Sequence, residues 1–317
     1  MEQRVLGSSG LSVAPIVLGG NAFGWTLDEQ ASFAVLDAFV DHGFNAIDTA
    51  DVYTYWAPGG QGGESETIIG RWLKARPGIR DKVVIFTKVG WDYGDPGRKG
   101  LSKRWIAEAA EASLSRLGVD AIDLYFSHQP DPDTPHEETL AEYEALIKAG
   151  KVKAIGASNF DAAQLRQALS VSEAKGLPSY QVLEPEYNLY DRASFDAALQ
   201  DLCIERGLGV VTYFSLASGF LTGKYRSKAD LGQSQRGGLV EKYFDARGLA
   251  ILAALHEVAS ARKAEPAEVA LAWLIAHRGV TAPIASATKA AHVESFSRAV
   301  KLRLSAEEIA LLDKAGM

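Results

Sequence analysis

Short apolar runs alternate along this chain with longer stretches whose apolar residues recur at helical spacing. The runs are Ile16 to Leu18, Phe44 to Ile47, Val83 to Thr87, Ile122 to Phe126, Val152 to Ile155, Tyr180 to Leu183, Gly209 to Tyr213, and a last one closing at Ile284. Each reads as a buried strand, because β-branched and aromatic residues fill it without polar alternation. Between them lie helical patterns. Asp28 is placed to cap a helix running to about His42, with Phe33, Leu36 and Val40 on one face. A second helix is expected over 64–74. The next carries Ile106, Ala109, Ala110, Leu114 and Leu117 on one face, and Gly118 stops it. Further helices are expected over 137–149, 162–174, 195–206, 249–262 and 266–277. A final helix opens on Ser305-Ala306-Glu307-Glu308, a capping box. Ahead of the first strand, Arg4 to Leu6 and Leu11 to Val13 flank Gly7-Ser8-Ser9-Gly10 and read as a small hairpin.

Eight β-α units in sequence suit an α/β fold of one domain over residues 1–317: a (β/α)8 TIM barrel with an N-terminal β-hairpin. A doubly wound open sheet shares the same periodicity, and periodicity alone does not distinguish the two. Composition fits either, since 47% of the 317 residues are hydrophobic and 23% charged. The formal charge of −7 argues against a nucleic-acid partner. No apolar run approaches the roughly 20 residues that span a bilayer, and the first residues do not read as a signal peptide. A single cysteine forbids an internal disulfide. The expected location is cytoplasmic, and the oligomeric state is open.

In a βα barrel the strand C-termini carry the chemistry. Here they offer Gly20 and Asn21, then Asp48 and Tyr53, Lys88, His128, Ser158 and Asn159, the stretch from Gln181 to Glu186, and Tyr213 with Ser215. Asp48, Tyr53, Lys88 and His128 make a coherent set. A phenol near its usual pKa of about 10 is a poor acid at neutral pH. A neighbouring ammonium is expected to lower it, and a carboxylate to hold the ammonium in place. A histidine beside the phenol can orient a carbonyl oxygen. Each residue alone has a plainer reading: Asp48 as a turn cap, Tyr53 as a half-buried aromatic, Lys88 as a solvated lysine, His128 as a loop histidine. Their joint placement favours chemistry.

These residues resemble the aldo-keto reductase superfamily. The resemblance is carried by the motif around Asp48 and Tyr53, by Lys88 closing Val84-Ile85-Phe86-Thr87, and by His128 after Asp123-Leu124-Tyr125-Phe126-Ser127. It continues through Gly150 to Phe160, Glu186-Tyr187-Asn188, and Tyr213 to Tyr225. It implies a barrel that binds NADPH without a G-x-G-x-x-G fingerprint and reduces aldehydes or ketones reversibly, with Tyr53 as general acid. It further implies that Ser158, Asn159 and Gln181 hold a carboxamide, and that Tyr213 stacks on the nicotinamide ring. Gly20, Asn21, Ser215, Leu216, Gly219, Leu221 and Lys224 would line the dinucleotide. Many members place a Lys-Ser pair after the last strand to grip the 2′-phosphate. Here Ser286, Thr288 and Lys289 stand there instead, so NADPH is expected and NADH is possible. The superfamily includes potassium-channel β-subunits, which this chain resembles in its hairpin and around Lys224. A cofactor-binding regulatory subunit with little turnover is therefore the alternative reading.

Trp25, Tyr55, Trp56 and Trp91 join Tyr53 and His128 as the expected pocket for a small carbonyl substrate. Trp72 and Trp105, on helices, read as packing. Gly59, Gly60, Gly62 and Gly63 lack a P-loop lysine and read as a flexible loop on the substrate side. Ser158-Asn159 also resembles a helix N-cap. The His128-x-x-Asp131-x-Asp133 spacing reads as a turn, and no metal is expected. Cys203 reads as inert core. Arg226, Lys228 and Arg236, among Gly232, Gly237 and Gly238, are expected to fold over the cofactor.

Overall fold

The computed structural model describes every residue except Ser234 and Arg236. The strands are β1 (Arg4–Val5), β2 (Ser12–Val13), β3 (Val17–Gly19), β4 (Ala46–Asp48), β5 (Val84–Val89), β6 (Ile122–Ser127), β7 (Val152–Ser158), β8 (Val182–Glu184), β9 (Gly209–Thr212) and β10 (Ala282–Ala285). Between them run α1 (Glu29–Asp41), α2 (Glu64–Ala75), α3 (Lys103–Leu117), α4 (His136–Lys148), α5 (Ala162–Lys175) and α6 (Ala197–Glu205). After β9 come α7 (Gly237–Val240), α8 (Ala246–Arg262) and α9 (Pro266–Ala276), and β10 is followed by α10 (Ala291–Lys301) and α11 (Ala306–Ala315).

Strands β3 to β10 close into a parallel barrel in the order β10-β3-β4-β5-β6-β7-β8-β9. Closure decides between the two architectures that periodicity left open. The hairpin β1-β2 is antiparallel and separate. It covers the N-terminal mouth: Arg4 donates to the Ile275 and Thr281 carbonyls, and Leu6 packs into the barrel interior.

The helices end where local chemistry dictates. Asp28 caps α1 by accepting from the Ala31 N–H, and Ser305 caps α11 with Glu308 reaching back. Gly118 ends α3 in the left-handed region. Two expectations change here. Asp161, not Ser158-Asn159, caps α5. Asp196 and Asp245 set the starts of α6 and α8, at 197 and 246 where the pattern placed them at 195 and 249.

The barrel interior is an apolar plug of Leu6, Val17, Ala46, Phe86, Leu124, Phe126, Ala154, Val182, Val211, Ala282 and Ile284. Side chains alternate across a strand, so the residue two positions on from an inward one points inward again. From Val17, Ala46, Phe86, Phe126, Val182, Val211 and Ile284 that step reaches Gly19, Asp48, Lys88, His128, Glu184, Tyr213 and Ser286. From Gly156, where a Cβ would lie 2.4 Å from the Phe126 ring, it reaches Ser158. Bulky apolar residues fill the middle, and polar groups crown the C-terminal end.

Candidate active site

Lys88, at the end of β5, is fully buried and central. Its Nζ donates to Asp48 Oδ1 at 2.5 Å, to the Thr49 carbonyl at 3.0 Å and to Tyr53 Oη at 3.1 Å. The Tyr53 hydroxyl in turn donates to Asp48 Oδ2 at 3.1 Å. Burial opposes the Lys88 charge, yet Asp48, Glu184 and Tyr53 together hold its pKa well above the ordinary value. The ammonium thus stays charged at neutral pH. Burial raises the Asp48 carboxyl, and Lys88 pulls it back. For Tyr53 the balance differs from expectation. Burial and then the Asp48 charge push the phenol above its usual value, and Lys88 offsets only part of this. An ammonium in contact does not by itself make a phenol acidic when a carboxylate shares the contact.

His128 sits across from the phenol, with ring centroids 6.2 Å apart. Its Nδ1 is buried without a partner. Burial, then the Lys88 charge, hold its pKa well below the ordinary value, so the imidazole is neutral. Trp91 packs on the same ring at 5.0 Å, and Trp56 lies 5.8 Å from Tyr53 and 5.9 Å from Trp25. Trp56, Trp91 and Tyr55 are exposed, and Tyr55 Oη donates to the Tyr93 carbonyl. An open aromatic rim therefore surrounds the phenol and imidazole. In the loop from Gly59 to Gly63, Gly60 and Gly62 close in on the Thr54 and Asp51 carbonyls. A Cβ at Gly60 would lie 1.9 Å from the Thr54 carbonyl, so that close approach requires glycine.

On the opposite side, Ser158 Oγ donates to the Glu184 carbonyl at 2.9 Å, and Asn159 Nδ2 to the His128 carbonyl at 2.8 Å. Tyr213 Oη donates to Asn159 Oδ1 at 2.6 Å. Asn21 Oδ1 accepts from Ser286 Oγ at 2.7 Å, joining the ends of β3 and β10. Thr49, Ser65 and Gly20 form a buried hydrogen-bonded chain beneath them. Ser215 Oγ donates to the Thr212 carbonyl, Leu216 and Leu221 pack against the core, and Lys224 Nζ lies 3.4 Å from where a Cβ on Gly219 would stand.

Gln181 is not part of this group. It precedes β8, and its Nε2 donates to the Ser8 carbonyl in the hairpin loop, while Gly209 N–H binds its backbone. Those contacts lie at the N-terminal end of the barrel. The strand begins two residues later than the apolar run suggested, so the side chain crowning it is Glu184. That residue is buried, with Oε1 3.3 Å from Lys88 Nζ. The inward step from Val182 was the available signal for it. Asp51 and His292 are two further titratable groups that the pattern did not single out. Burial, and then Glu66, push the Asp51 carboxyl up to about 8. Burial lowers the His292 pKa, and Lys289 and Lys224 lower it further. The charges of both lysines, which come from different loops, therefore reach this imidazole.

Backbone strain gathers on the same face. Among the described residues, the non-glycine residues in the left-handed region are Thr54, Asn159, Phe214, Ala217, Ser218 and Lys263. All but Lys263, which ends α8, lie in loops at the strand C-termini. Strain of about 1–3 kcal/mol per residue persists where the surroundings over-determine it, which is typical of functional loops.

Other candidates have structural roles. Trp72 and Trp105 are buried, and Trp72 Nε1 donates to Asp37. Cys203 is buried, its thiol pushed up to about 12 by burial. Asp131 accepts from Leu101 N, Asp133 N and Thr134 Oγ1, which makes the turn. No group of three His, Cys, Asp or Glu side chains that could hold a metal occurs among the described residues. Among them too, no helix is long and apolar enough to cross a membrane. Lys228 pairs with Glu241 at 3.2 Å, and Arg236 lies outside the described residues.

A buried Asp-Tyr-Lys group with a neutral histidine, set in the crown of a closed barrel, defines an oxidoreductase of the aldo-keto reductase type. The chain belongs to the aldo/keto reductase family, whose model matches residues 15–316. Members typically use nicotinamide cofactors on small-molecule carbonyl substrates. The chain is 32% identical over 308 residues to a probable voltage-gated potassium channel subunit beta of Arabidopsis thaliana, covering 95% of this chain and 91% of that one. It is 33% identical over 319 residues to the uncharacterized oxidoreductase YrpG of Bacillus subtilis, covering 99% and 95%. To the L-glyceraldehyde 3-phosphate reductase of Escherichia coli O157:H7 it is 30% identical over 324 residues, covering 99% and 92%.

Proposed function

We propose that this protein reduces aldehydes or ketones to alcohols with NADPH, reversibly, with Tyr53 as the proton donor. The observation that carries this reading is the Tyr53 hydroxyl held between Lys88 Nζ and Asp48 Oδ2, each at 3.1 Å, at the foot of an open aromatic rim.

A reduced nicotinamide, when bound, supplies the hydride. The chain's residues do the rest. Tyr53 holds a proton at Oη and faces the rim where a carbonyl oxygen would lie. Lys88 stabilises the phenolate left when that proton leaves, and Asp48 keeps Lys88 charged and aimed. Neutral His128 donates a hydrogen bond to the same oxygen and orients it. Trp25, Tyr55, Trp56 and Trp91 exclude water and take the apolar bulk of the substrate.

The residues present fit a dinucleotide along the other half of the crown. Ser158 and Asn159 offer polar groups beside Glu184, and Tyr213 offers a ring face. The left-handed turn at Ala217, Ser218 and Gly219 suits backbone approach to an anion. Gly20, Asn21, Ser215, Leu216, Leu221 and Ser286 line the path between them. The charges of Lys224 and Lys289 both reach His292, and with Thr288 these lysines would take the 2′-phosphate, so NADPH is favoured over NADH.

The similarity to potassium-channel β-subunits supports a second reading, a cofactor-binding sensor with little turnover. The test is a panel of aldehydes, ketones and keto-sugars with NADPH and NADH, followed by loss of nicotinamide absorbance. Repeated turnover supports the reductase. A single slow oxidation of bound cofactor with every substrate supports the sensor.

A further inference from the structure

We propose that Glu184 is the proton-holding partner of the Asp48–Lys88–Tyr53 group, a positioning residue whose ionisation sets the pH range of carbonyl reduction. Only the kinetic part of this proposal rests on the reductase reading.

Lys88 has three N–H bonds, and Asp48, Thr49 and Tyr53 take all of them. Glu184 Oε1 stands 3.3 Å from the same nitrogen, farther than any of those three acceptors and able only to share an N–H with them, and Oε2 is buried without any partner. Two ionised carboxylates around one ammonium would leave a net negative charge sealed in the barrel, which is costly. One proton on the pair neutralises the centre. Asp48 is the poorer place for it, because Lys88 and Tyr53 both donate to its oxygens. Glu184 has only the longer 3.3 Å contact of Oε1 with Lys88, and nothing on Oε2. Its surroundings agree: burial and then the Asp48 charge push its carboxyl up to about 8, with Lys88 opposing.

The groups facing this carboxyl are Asp48 and Tyr53 from β4 and its loop, Lys88 from β5, and Tyr213 after β9. Ser158 Oγ and Asn159 N–H bind the Glu184 backbone carbonyl and leave the carboxyl alone. When Glu184 loses its proton, the added charge makes Tyr53 hold its own proton more tightly. Reduction therefore slows as pH rises through about 8, and Glu184→Gln removes that dependence.

The direct test is infrared difference spectroscopy of the protein without cofactor, from pH 6 to 10, reading the carbonyl stretch of protonated carboxyls. The wild type loses this band around pH 8, and Glu184→Gln lacks the part that belongs to Glu184. Asp51 contributes a second component that survives in Glu184→Gln and vanishes in Asp51→Asn. Identical titrations in wild type and Glu184→Gln overturn the proposal. Should Glu184→Gln fail to fold, wild-type protein with ¹³C-carboxyl glutamate decides by nuclear magnetic resonance: one glutamate titrating near pH 8 supports the proposal, and none overturns it. In turnover, the ratio of kcat at pH 7 to kcat at pH 9 is several-fold larger for wild type than for Glu184→Gln, and equal ratios contradict the kinetic part. A wild type that reduces no carbonyl refutes the reductase reading and leaves the spectroscopic result to stand alone.

Discussion

The Lys88 ammonium lies 3.1 Å from the Tyr53 phenol oxygen and has no solvent exposure at all. A buried lysine normally gives up its charge. Here the Asp48 carboxylate, the Glu184 carboxyl and a backbone carbonyl surround it, so the charge stays and is aimed at the phenol. That fixed cation is the feature on which both the stability and the chemistry of the crown depend.

Removing it exposes the cost of the arrangement. Lys88→Met leaves the Asp48 carboxylate buried beside Glu184 with no counter-charge. Breaking such a group on one side costs about 3–5 kcal/mol. Urea unfolding at pH 7 is expected to show a loss of that order. A loss under about 1 kcal/mol means that the carboxyls are already neutral without the lysine.

Asp51 governs a separate pH effect. Its folded-state pKa, about 8, exceeds the roughly 3.9 of an unfolded aspartate. The folded state therefore binds the extra proton between those values, and stability falls as pH rises from about 4 to about 8. Glu184, also near 8, acts in the same direction. Asp51→Asn should match wild type near pH 4 and be more stable at pH 8, by on the order of 1 kcal/mol or more. Thermal melts across this range check it, and an Asp51→Asn melting curve that runs parallel to wild type at every pH refutes the buried-acid explanation.

Lys289 tests the cofactor preference. A charge-assisted hydrogen bond to phosphate is worth about 1.5–3 kcal/mol. Lys289→Ala should therefore weaken NADPH binding by roughly tenfold or more and leave NADH binding nearly unchanged. Titration of both cofactors by fluorescence reads this. Equal losses for the two would place Lys289 away from the 2′-phosphate.

Much of the crown was legible because the barrel strands are apolar and short. Asp48 and Lys88 follow immediately, and His128 one residue later, on runs that read as interior strands. The path from Ser158 to Tyr213 was less legible. The run from Tyr180 to Leu183 looks like one strand, but Tyr180 and Gln181 precede β8, and the Gln181 side chain reaches the hairpin loop. A two-residue shift of the boundary exchanges an amide at one end of the barrel for a carboxyl at the other. Side-chain parity, counted from the plug residue Val182, carries the right answer where the extent of the run does not. The phenol's acidity was not legible either. It depends on the competition between Asp48, Glu184 and Lys88 at fixed distances around a buried ammonium, and spacing in sequence does not encode that balance.

The central claim is that Tyr53 donates the proton. Tyr53→Phe keeps the ring against Trp56 and removes only the hydroxyl. The decisive measurement is steady-state reduction of the best aldehyde with NADPH for wild type and Tyr53→Phe, alongside the NADPH Kd of each by fluorescence. We expect kcat to fall by about 10²–10⁴-fold, the range for losing a general acid, with Kd little changed. A Tyr53→Phe enzyme that turns over at the wild-type rate would contradict the assignment.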